Sequence, residues 1–454
     1  MGAIDELARE LPCDVLVTDP DVMEGYRRDR AALVTAGTPL AVARPVTTGQ
    51  VSAIMRWAAE HRVTVVPRGA GTGLSGGANA IDRCVIVCLE RMTKLREIDP
   101  VDQVAVAEAG VINADLERAA RRQGMFYPPD PGSFEISTIG GNVATNAGGM
   151  RCVKYGVTRD SVLGLEVVLA DGRVLRTGSR SIKNVAGLDL TSLFIGSEGT
   201  LGIVTSATVR LRPLPATPPA VFVATFPALP AAGDAVAKIT ATAVSPSMLE
   251  LIDHATINAI EDYQRMDLDR SAAALLVGQA DGPDARKDAD RIIGLCEEAG
   301  ADYFACTQDP EEADGLIAAR RLAGLALLDA GPTVIEDIGV PRSRLAEMLR
   351  EIERIGAEEK VRIATVGHAG DGNLHPVLVL DDSEPETRQH ALAVAEEIWR
   401  VALAFGGTVT GEHGVGILKR DWLAAQLKGP ALDVHHRIKA ALDPQGLLNP
   451  GRAW

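Results

Sequence analysis

The stretch Pro67-Arg-Gly-Ala-Gly-Thr-Gly-Leu-Ser-Gly-Gly-Ala78 decides the fold of the first half of the chain. Five of its twelve residues are glycine, and it lies between the apolar runs 63–66 and 84–89. Because glycine has no Cβ, such a loop can adopt positive φ angles and turn several backbone N–H groups toward one point. A nest of this kind binds phosphate or pyrophosphate, and a flexible surface turn is the alternative.

The loop contains Gly71-x-Gly73-x-x-Gly76, the glycine spacing of a Rossmann dinucleotide site. That site requires a helix that opens directly on the loop. Here the loop leads instead into a second β-branched run, which predicts the order strand, loop, strand. The pattern therefore argues against a Rossmann fold but keeps the pyrophosphate.

Two further segments rich in Gly, Ser, Thr and Asn follow, at 137–149 and at 183–205. Apolar strands such as 162–169 separate them. Three such loops predict an extended cofactor that is held mostly by backbone groups, and loops without a ligand are the alternative.

Composition and charge limit the possible fold classes and partners. The 454 residues are 46% hydrophobic and 24% charged, which indicates a soluble globular chain of two or three domains. A net charge of −15 argues against nucleic acid or an anionic membrane as the main partner. No Cys-x-x-Cys pair, secretory signal or membrane-spanning stretch is visible, so we expect a cytoplasmic protein without an iron–sulfur cluster.

The chain changes character at 212–219, where four of eight residues are proline. Such a stiff segment is typical of a domain boundary. Strands and helices alternate beyond it without glycine-rich loops, which predicts a separate antiparallel sheet with helices on one face.

Two histidine-containing segments carry the chemistry of the second half. Gly367-His-Ala-Gly-Asp-Gly-Asn-Leu-His375 lies between apolar runs, and its Asp-Gly turn predicts a reversal that brings His368 beside His375. Thr408-Val-Thr-Gly-Glu-His-Gly-Val-Gly416 adds a carboxylate, Glu412, next to His413. Two imidazoles, one carboxylate and open positions are the layout of a catalytic metal site, and solvated loop residues are the alternative.

These motifs, together with Lys183-Asn-Val-Ala-Gly-Leu-Asp-Leu190, Gly196-Ser-Glu-Gly-Thr-Leu-Gly-Ile-Val-Thr205 and the closing segment 442–451, stand in the order of a known family. From about residue 37 to its end the chain resembles the FAD-dependent D-2-hydroxy acid dehydrogenases of the vanillyl-alcohol-oxidase superfamily, also called the p-cresol-methylhydroxylase (PCMH) type. Within that family it is most similar to the flavin subunit of glycolate oxidase and to D-lactate and D-2-hydroxyglutarate dehydrogenases.

The resemblance implies an α+β fold with a two-lobed PCMH-type FAD-binding domain and a cap domain with an antiparallel sheet and flanking helices. The expected parts are an N-terminal helical segment at 1–36, the FAD-binding domain at 37–216, the substrate or cap domain at 217–410, and a segment at 411–454 that returns to the FAD domain. Some branches attach the flavin to a histidine near the glycine loop. This loop has none, so the FAD is expected to be non-covalent.

The resemblance also implies which residues bind FAD, and most of them are small. They are Pro67, Arg68, Gly69, Ala70, Gly71, Thr72, Gly73, Ser75, Gly76, Pro131, Gly132, Thr138, Gly140, Gly141, Asn142, Thr145, Asn146, Gly148, Gly149, Glu198, Gly199, Gly202, Ile203, Val204 and Asn449.

By the same resemblance, a divalent metal, usually zinc, is bound by three residues, and three others serve the substrate and its proton. The metal ligands are His368, His375 and Glu412; Asn373 lies near the substrate, His413 is the general base, and Arg320, with Arg321 as a fallback, binds the substrate carboxylate. The metal would lower the pKa of the substrate hydroxyl, His413 would take its proton, and the α-hydrogen would leave as hydride to flavin N5.

Two positions favour a short substrate. The 2-hydroxyglutarate branch tends to carry threonine where this chain has Gly324 and lysine where it has Ile335. A second carboxylate would then be unpaired, so glycolate or D-lactate is favoured over D-2-hydroxyglutarate. A non-catalytic flavin-binding electron-transfer subunit and an alkyl-glycerone-phosphate synthase are the rival interpretations.

The resemblance also implies the partners of the protein. The expected partner molecules are a small 2-hydroxy acid and an electron acceptor, which is a quinone reached through partner subunits, an electron-transferring flavoprotein, a cytochrome or oxygen. A homodimer or hetero-oligomer, peripheral to the inner membrane through partner subunits, fits this expectation. Zinc, manganese and iron stay open as the metal.

Overall fold

A computed structural model describes residues 3–381 and 384–454. The chain divides into two compact units. The first unit comprises the chain up to Gly148, Gly156–Leu214 and Glu412–Trp454, and the second comprises Gly149–Tyr155 and Pro215–Gly411. Residues 149–155, which are expected in the FAD-binding domain, thus belong to the second unit.

The first unit begins with a small sheet and its helices. In chain order these elements are α1 (Ala3–Glu10), β1 (Leu16–Val17), α2 (Pro20–Glu24), β2 (Ala41–Ala43), α3 (Thr48–His61), β3 (Val65–Arg68) and β4 (Val85–Cys88). The strand order is β1-β2-β4-β3, in which β2, β4 and β3 are parallel and β1 is antiparallel to β2.

Local chemistry defines the ends of α3, the helix that connects β2 to β3. The Thr47 hydroxyl accepts a hydrogen bond from the Gln50 N–H at 3.2 Å, and Arg62 ends the helix with a φ of 53°. The N-terminal segment, expected to consist of short helices, also supplies β1 and places Leu7 and Leu11 in the core beneath α3. It is therefore part of the first core rather than an appendage.

A larger antiparallel sheet completes the first unit. The next elements of the chain are β5 (Leu95–Asp99), β6 (Val104–Glu108), α4 (Asn113–Arg121), β7 (Met125–Phe126), α5 (Ile139–Thr145), α6 (Cys152–Tyr155, in the second unit), α7 (Thr158–Ser161), β8 (Val162–Val168), β9 (Val174–Gly178), α8 (Leu190–Phe194), β10 (Ile203–Arg210) and β11 (Arg212–Pro213). The strand order is β5-β6-β10-β8-β9, and β11 pairs separately with β7.

The second glycine-rich segment, expected to be a loop, contains helix α5. The Thr138 hydroxyl accepts a hydrogen bond from the Gly141 N–H at 3.2 Å, which begins the helix, and Asn146 ends it with a φ of 53°. A Cβ on Gly140 would lie 2.6 Å from the Cβ of Ala109. The glycine is therefore explained by close packing of the helix on the large sheet, and the expectation of a loop was wrong here.

The second unit is built on one antiparallel sheet. Its elements after residue 215 are β12 (Ala220–Phe226), α9 (Leu229–Thr240), β13 (Met248–Asp253), α10 (His254–Tyr263), β14 (Ala274–Ala280), α11 (Ala285–Glu298), β15 (Tyr303–Thr307), α12 (Pro310–Asp329), β16 (Thr333–Ile335), β17 (Ile338–Gly339), α13 (Leu345–Glu359), β18 (Arg362–His368), β19 (Asn373–Val379) and α14 (Pro385–Ala404). The strand order is β15-β12-β14-β13-β18-β19-β16, and β17 also pairs with β19.

Helices cover both faces of this sheet rather than one. Every residue of β12, β13 and β19 is buried, and successive side chains of a strand point to opposite faces. Helices α10 and α12 pack with Val221 and Val223 in one cluster. Phe222, which lies between them, and Phe226 are also fully buried, and two helices outside that cluster, α9 and α11, contact β12 and β14. The expectation of helices on one face was therefore wrong.

The last part of the chain belongs to the first unit and carries α15 (Arg420–Leu427) and α16 (Gly429–Leu442). Beyond α16 the backbone pairs with β3: Val65 N–H donates to Leu447 O and Asn449 N–H to Val65 O, each at 2.8 Å. Asp443 supports this segment by accepting the N–H groups of Leu447 and Leu448. Among the described residues, no helix is long and apolar enough to cross a membrane.

Candidate functional site

The glycine-rich loop of the first unit links β3 directly to β4, which confirms the predicted order of strand, loop and strand. Gly71 and Gly76 have φ angles of 73° and 78°, and a Cβ on Gly71 would lie 1.9 Å from Arg68 Nη2. Within the described part of the chain, the backbone N–H groups of residues 69–75 donate no hydrogen bond. A run of available donors in a glycine loop fits an anionic group such as the pyrophosphate of FAD.

The three glycine-rich segments meet in the first unit. A Cβ on Gly69 would lie 2.5 Å from Thr138 Oγ1, and one on Gly199 would lie 2.8 Å from Pro67 Cγ. Glu198 N–H donates to the carbonyl oxygen of Ala144 at 2.8 Å. These contacts bring parts of the three segments close together in the first unit, although the chain separates them by more than a hundred residues.

The C-terminal segment, residues 412–454, is hydrogen-bonded to the same region. The Glu198 carboxylate accepts the N–H groups of Val415 at 2.7 Å and Gly416 at 2.8 Å. Ser75 Oγ donates to the carbonyl oxygen of Gly414 at 2.8 Å, and Asn449 Nδ2 donates to the carbonyl oxygens of Gly77 and Glu198. Burial raises the pKa of Glu198 in spite of the two N–H groups it accepts.

The remaining expected FAD residues differ in their surroundings. Asn142 is 4% exposed, and its Nδ2 has no acceptor among the described residues, as expected of a group that binds a ligand. By contrast, Gly202, Ile203 and Val204 lie in or next to β10 and are buried. A Cβ on Gly202 would lie 2.4 Å from Val167 Cγ1, so packing of the sheet alone accounts for this glycine.

The two histidines of the second unit lie on the hairpin formed by β18 and β19. His368 pairs with Asn373 across the hairpin and Val366 pairs with His375, while Gly372 closes the turn with a φ of 83°. The two imidazole rings are 5.2 Å apart between centroids and nearly perpendicular. Both side chains are buried. The hairpin therefore brings the two imidazoles together, as the Asp-Gly turn predicts.

His368 contacts a buried carboxylate that lies outside the sequence motifs. Both oxygens of Glu250, in β13, are 2.9 Å from His368 Nδ1. Burial raises the pKa of Glu250, but the contacts with His368 and Arg320 outweigh burial and hold this pKa below its usual range. The available signal is a glutamate within the otherwise apolar strand Met248-Leu-Glu-Leu-Ile252, since charged residues are rarely buried unless they are paired.

Arg320, expected to bind the substrate carboxylate, already contacts a carboxylate of the protein. Its Nε donates to Glu250 Oε2 at 2.7 Å, and its side chain is 13% exposed. The fallback residue, Arg321, is 55% exposed and lies 3.9 Å from the carboxylate of Asp314. Arg320 is therefore the inner arginine of α12, and one of its N–H groups is already engaged by the protein.

A second buried carboxylate, Asp337, lies on the other side of the hairpin and was also not identified. Its Oδ1 accepts a hydrogen bond from Asn373 Nδ2 at 2.6 Å and is 3.8 Å from His375 Nδ1. Its Oδ2 accepts from Thr410 Oγ1 at 2.6 Å and from the Gly411 N–H at 2.9 Å. Asp337 thus fixes the side chain of Asn373 and the backbone that leads to Glu412.

Glu412 and His413 belong to the first unit. A Cβ on Gly148 would lie 2.6 Å from Glu412 Oε2, so the carboxylate packs directly on the glycine of the second segment. The carbonyl oxygen of His413 lies 3.3 Å from Ser75 Oγ. Both side chains are largely buried, at 11% and 14% exposure, and His413 Nε2 is 3.9 Å from Glu412 Oε1.

Two family models match the chain. Residues 217–453 match the C-terminal domain of FAD linked oxidases, and residues 39–178 match an FAD binding domain. The chain is 44% identical to the glycolate oxidase subunit GlcD of Bacillus subtilis (strain 168), over 92% of this chain and 89% of that protein. It is 33% identical to a D-lactate dehydrogenase of Anaerostipes hadrus, over 99% and 96% of the two chains.

The fold has a counterpart of known structure. The p-cresol methylhydroxylase structure superposes with a TM-score of 0.84 at 18% identity and covers 99% of this chain and 96% of that one. This likeness confirms the predicted PCMH-type α+β fold. With the two family models and the relatives at 33% and 44% identity, it follows that the chain belongs to the FAD linked oxidases and is an FAD-dependent oxidoreductase.

Proposed function

We propose that the protein oxidises glycolate or D-lactate to the corresponding 2-keto acid, with non-covalent FAD as the electron acceptor and a divalent metal, zinc, in the substrate site. The relatives named above support the substrate class because they are a glycolate oxidase subunit and a D-lactate dehydrogenase. The observation that carries the proposal is the pair of buried imidazoles of His368 and His375, 5.2 Å apart.

The flavin would be held by the first unit. The available N–H groups of residues 69–75 suit the pyrophosphate, and Asn142 contributes a buried amide. When bound, FAD accepts the α-hydrogen of the substrate as a hydride at N5. The segments at 138–149 and 196–199 would line the cofactor with small residues that permit close backbone approach.

The metal would be bound by His368 and His375 with Glu412 as the third protein ligand. Two neutral imidazoles and a carboxylate suit zinc or another divalent transition metal. When bound, such a metal lowers the pKa of the substrate hydroxyl. Asp337 supports this ligand set because it anchors the Gly411 N–H at 2.9 Å, one residue before Glu412.

The proton and the carboxylate of the substrate would be handled by residues of this chain. His413 acts as the general base that takes the hydroxyl proton. Arg320 offers its terminal amino groups to the carboxylate, since a guanidinium can bind a carboxylate through two parallel hydrogen bonds. Asn373 is fixed by the 2.6 Å hydrogen bond from its Nδ2 to Asp337, and its amide oxygen would accept a hydrogen bond from the substrate.

Two rival functions are disfavoured by particular residues. A non-catalytic electron-transfer subunit has no need for buried imidazoles braced by a buried carboxylate, yet Glu250 contacts His368 at 2.9 Å. A D-2-hydroxyglutarate dehydrogenase needs groups for a second carboxylate, and this chain has Gly324, with open space around its Cβ position, and the apolar Ile335. We therefore favour the short 2-hydroxy acids.

Partner subunits would receive the electrons. The relative at 44% identity is itself a subunit of glycolate oxidase, which supports a hetero-oligomeric enzyme. Such an enzyme would pass electrons to a quinone, an electron-transferring flavoprotein or a cytochrome. A net charge of −15 disfavours nucleic acid as a partner. Such a complex would lie in the cytoplasm or at the surface of the inner membrane.

Anaerobic rapid mixing tests the proposal. Protein reconstituted with FAD and Zn²⁺ is mixed with glycolate, D-lactate, L-lactate or D-2-hydroxyglutarate, and flavin absorbance is followed. We expect glycolate or D-lactate to bleach the flavin fastest and L-lactate to be inactive. Equal rates for all four acids, or a flavin that none of them reduces, would contradict the proposal.

A further inference from the structure

The carboxylate of Glu250 lies between two groups that the proposed reaction uses. Both of its oxygens are 2.9 Å from His368 Nδ1, and Oε2 also accepts a hydrogen bond from Arg320 Nε at 2.7 Å. The Glu250 side chain is fully buried and that of Arg320 is 13% exposed. One carboxylate thus contacts a proposed metal ligand and the proposed anion-binding guanidinium at the same time.

We propose that Glu250 is a positioning residue that couples the metal-binding imidazole of His368 to the substrate-binding guanidinium of Arg320. This inference rests on the proposed function, because the two partners have the roles given there. A carboxylate next to Nδ1 fixes that nitrogen as the one that carries the proton. It leaves the lone pair on Nε2, which is the form in which an imidazole binds a metal.

The effect on Arg320 follows from the planarity of the guanidinium. Because the group is rigid, a hydrogen bond that fixes Nε also fixes the direction of both terminal amino groups. In the part of the chain that the structure describes, neither of these amino groups donates to a protein acceptor. They are therefore the donors of Arg320 that are available to a carboxylate.

Three elements hold this arrangement. Glu250 lies in the middle of β13, which pairs with β14 on one side and with β18, the strand of His368, on the other. Arg320 extends from α12, a helix that contacts the same sheet. The neighbours of Glu250 in β13, Leu249 and Leu251, are buried at 1% and 0% exposure. The carboxylate is therefore placed by the sheet itself and not by a loop.

The metal affinity of four variants tests the coupling. The variants are Glu250→Gln, Arg320→Gln, the double variant, and Asp253→Asn as a control that removes another buried carboxylate of β13 without contact to His368 or Arg320. Each FAD-loaded protein is stripped of metal and titrated with Zn²⁺ in competition with a chromogenic chelator. KM and kcat for glycolate and D-lactate are then measured on the zinc-loaded forms.

We expect Glu250→Gln to weaken Zn²⁺ binding by about 10–100-fold, the usual effect of removing a carboxylate behind a ligating histidine. Arg320→Gln should leave Zn²⁺ affinity unchanged and raise KM by about tenfold or more, because it removes a charge-assisted contact. If Glu250 orients Arg320, then Arg320→Gln should raise KM less in the Glu250→Gln background than in the wild type.

The double variant keeps the test decisive should Glu250→Gln fold poorly. The single change leaves the Arg320 guanidinium without its counter-charge, whereas the double change leaves two neutral amides. The loss of Zn²⁺ affinity must persist in the double variant. Wild-type Zn²⁺ affinity in both Glu250 variants, or an equal loss in Asp253→Asn, would overturn the inference.

The same data separate this inference from the proposed function. A zinc-loaded wild type whose flavin no 2-hydroxy acid reduces would contradict the proposed function, while the Zn²⁺ affinities would still decide the role of Glu250. Conversely, wild-type turnover of glycolate or D-lactate with no difference in Zn²⁺ affinity between Glu250→Gln and wild type would overturn the inference and leave the function standing.

Discussion

At the scale of single residues, the second unit places acidic groups where their neighbours are apolar. His368 and Arg320 keep the pKa of Glu250 below its usual range in spite of burial, whereas the charged neighbour that acts on Asp253, three residues later in the same strand, is His254. Asp253 accepts hydrogen bonds from Thr256 and from the Thr365 N–H. Equal burial thus has opposite results for the two carboxyl groups, because of the two only Glu250 contacts the Arg320 guanidinium and the His368 imidazole.

A pH-dependent stability follows for Asp253. Burial raises its pKa from 3.8 to about 6, so the folded protein favours the neutral acid. The stability that this group contributes is complete below pH 4 and is lost as the pH rises through 6. Relative to the wild type, the free energy of unfolding of Asp253→Asn should therefore rise by about 2 kcal/mol between pH 4 and pH 7.

Urea denaturation of both proteins at the two pH values measures this difference. Asp262→Asn is the control, because Asp262 is exposed and its replacement should change little between the two pH values. Parallel pH profiles for the wild type and Asp253→Asn would contradict the prediction.

The role of general base proposed for His413 gives a second prediction at the scale of single residues. His413→Ala should lower kcat by about 10²–10⁴-fold, the usual contribution of a general base. Bound flavin should be unchanged, because the contact to Ser75 is made by the backbone oxygen of residue 413. Rapid-scan flavin reduction measures the rate, with His390→Ala as the control at an exposed histidine. Wild-type reduction by His413→Ala would assign the proton to another group.

The site residues that could be predicted from the sequence lie within recognisable motifs. His368, His375 and Asn373 lie on one hairpin, and the Asp-Gly turn between them is visible in the sequence. Glu250 and Asp337 lie in or beside strands whose sequences look like ordinary core. Their roles depend on strand pairing across more than thirty residues, which a local pattern does not contain.

At the scale of elements, three different structural requirements explain the glycines of the glycine-rich segments. In the loop at 69–77 it permits positive φ angles, in α5 it permits a helix to pack closely on the sheet, and at Gly202 it accommodates Val167. Composition alone suggested a loop for all three segments. Thr138, a helix-capping residue followed by Ile139 and Val143, was the signal for α5.

The backbone contact of Gly416 can be isolated by a matched pair of substitutions. Gly416 and Gly429 have nearly equal φ angles of 53° and 52°, but a Cβ on Gly416 would lie 2.0 Å from Ser75 O, whereas nothing lies within 4 Å of one on Gly429. Gly429→Ala should thus cost only the conformational strain, about 1–2 kcal/mol. Gly416→Ala should cost at least about 2 kcal/mol more and weaken FAD binding.

Thermal unfolding of the FAD-loaded proteins and titration of the apoproteins with FAD measure the two effects. Equal stability and equal FAD affinity of the two variants would show that the C-terminal segment is not held tightly against the loop at 67–78.

At the scale of the whole molecule, the proposed flavin and metal functions fall mostly in different units. The residues expected to bind FAD lie in the first unit, with the exception of Gly149, whereas His368 and His375 lie in the second. The two units have separate cores. Loss of the metal should therefore leave the flavin in place.

Metal removal provides the corresponding prediction. Dialysis against a strong chelator should abolish substrate-driven flavin reduction and leave the flavin absorbance of the protein unchanged, because the glycine-rich segments need no metal. Zn²⁺ should restore reduction, whereas Mg²⁺, which prefers oxygen ligands, should not. Release of FAD together with the metal would contradict this division of roles.

The division of the chain has a consequence for its biosynthesis. Strand β3 of the first unit leaves the ribosome before the second unit, but its backbone partners Leu447 and Asn449 follow the second unit in the chain. Roughly 200 residues of the second unit are translated in between, which takes about 10–40 s at ordinary elongation rates. During that interval the edge of β3 has no covering segment, so the nascent chain should be most exposed to chaperones before residues 412–454 emerge.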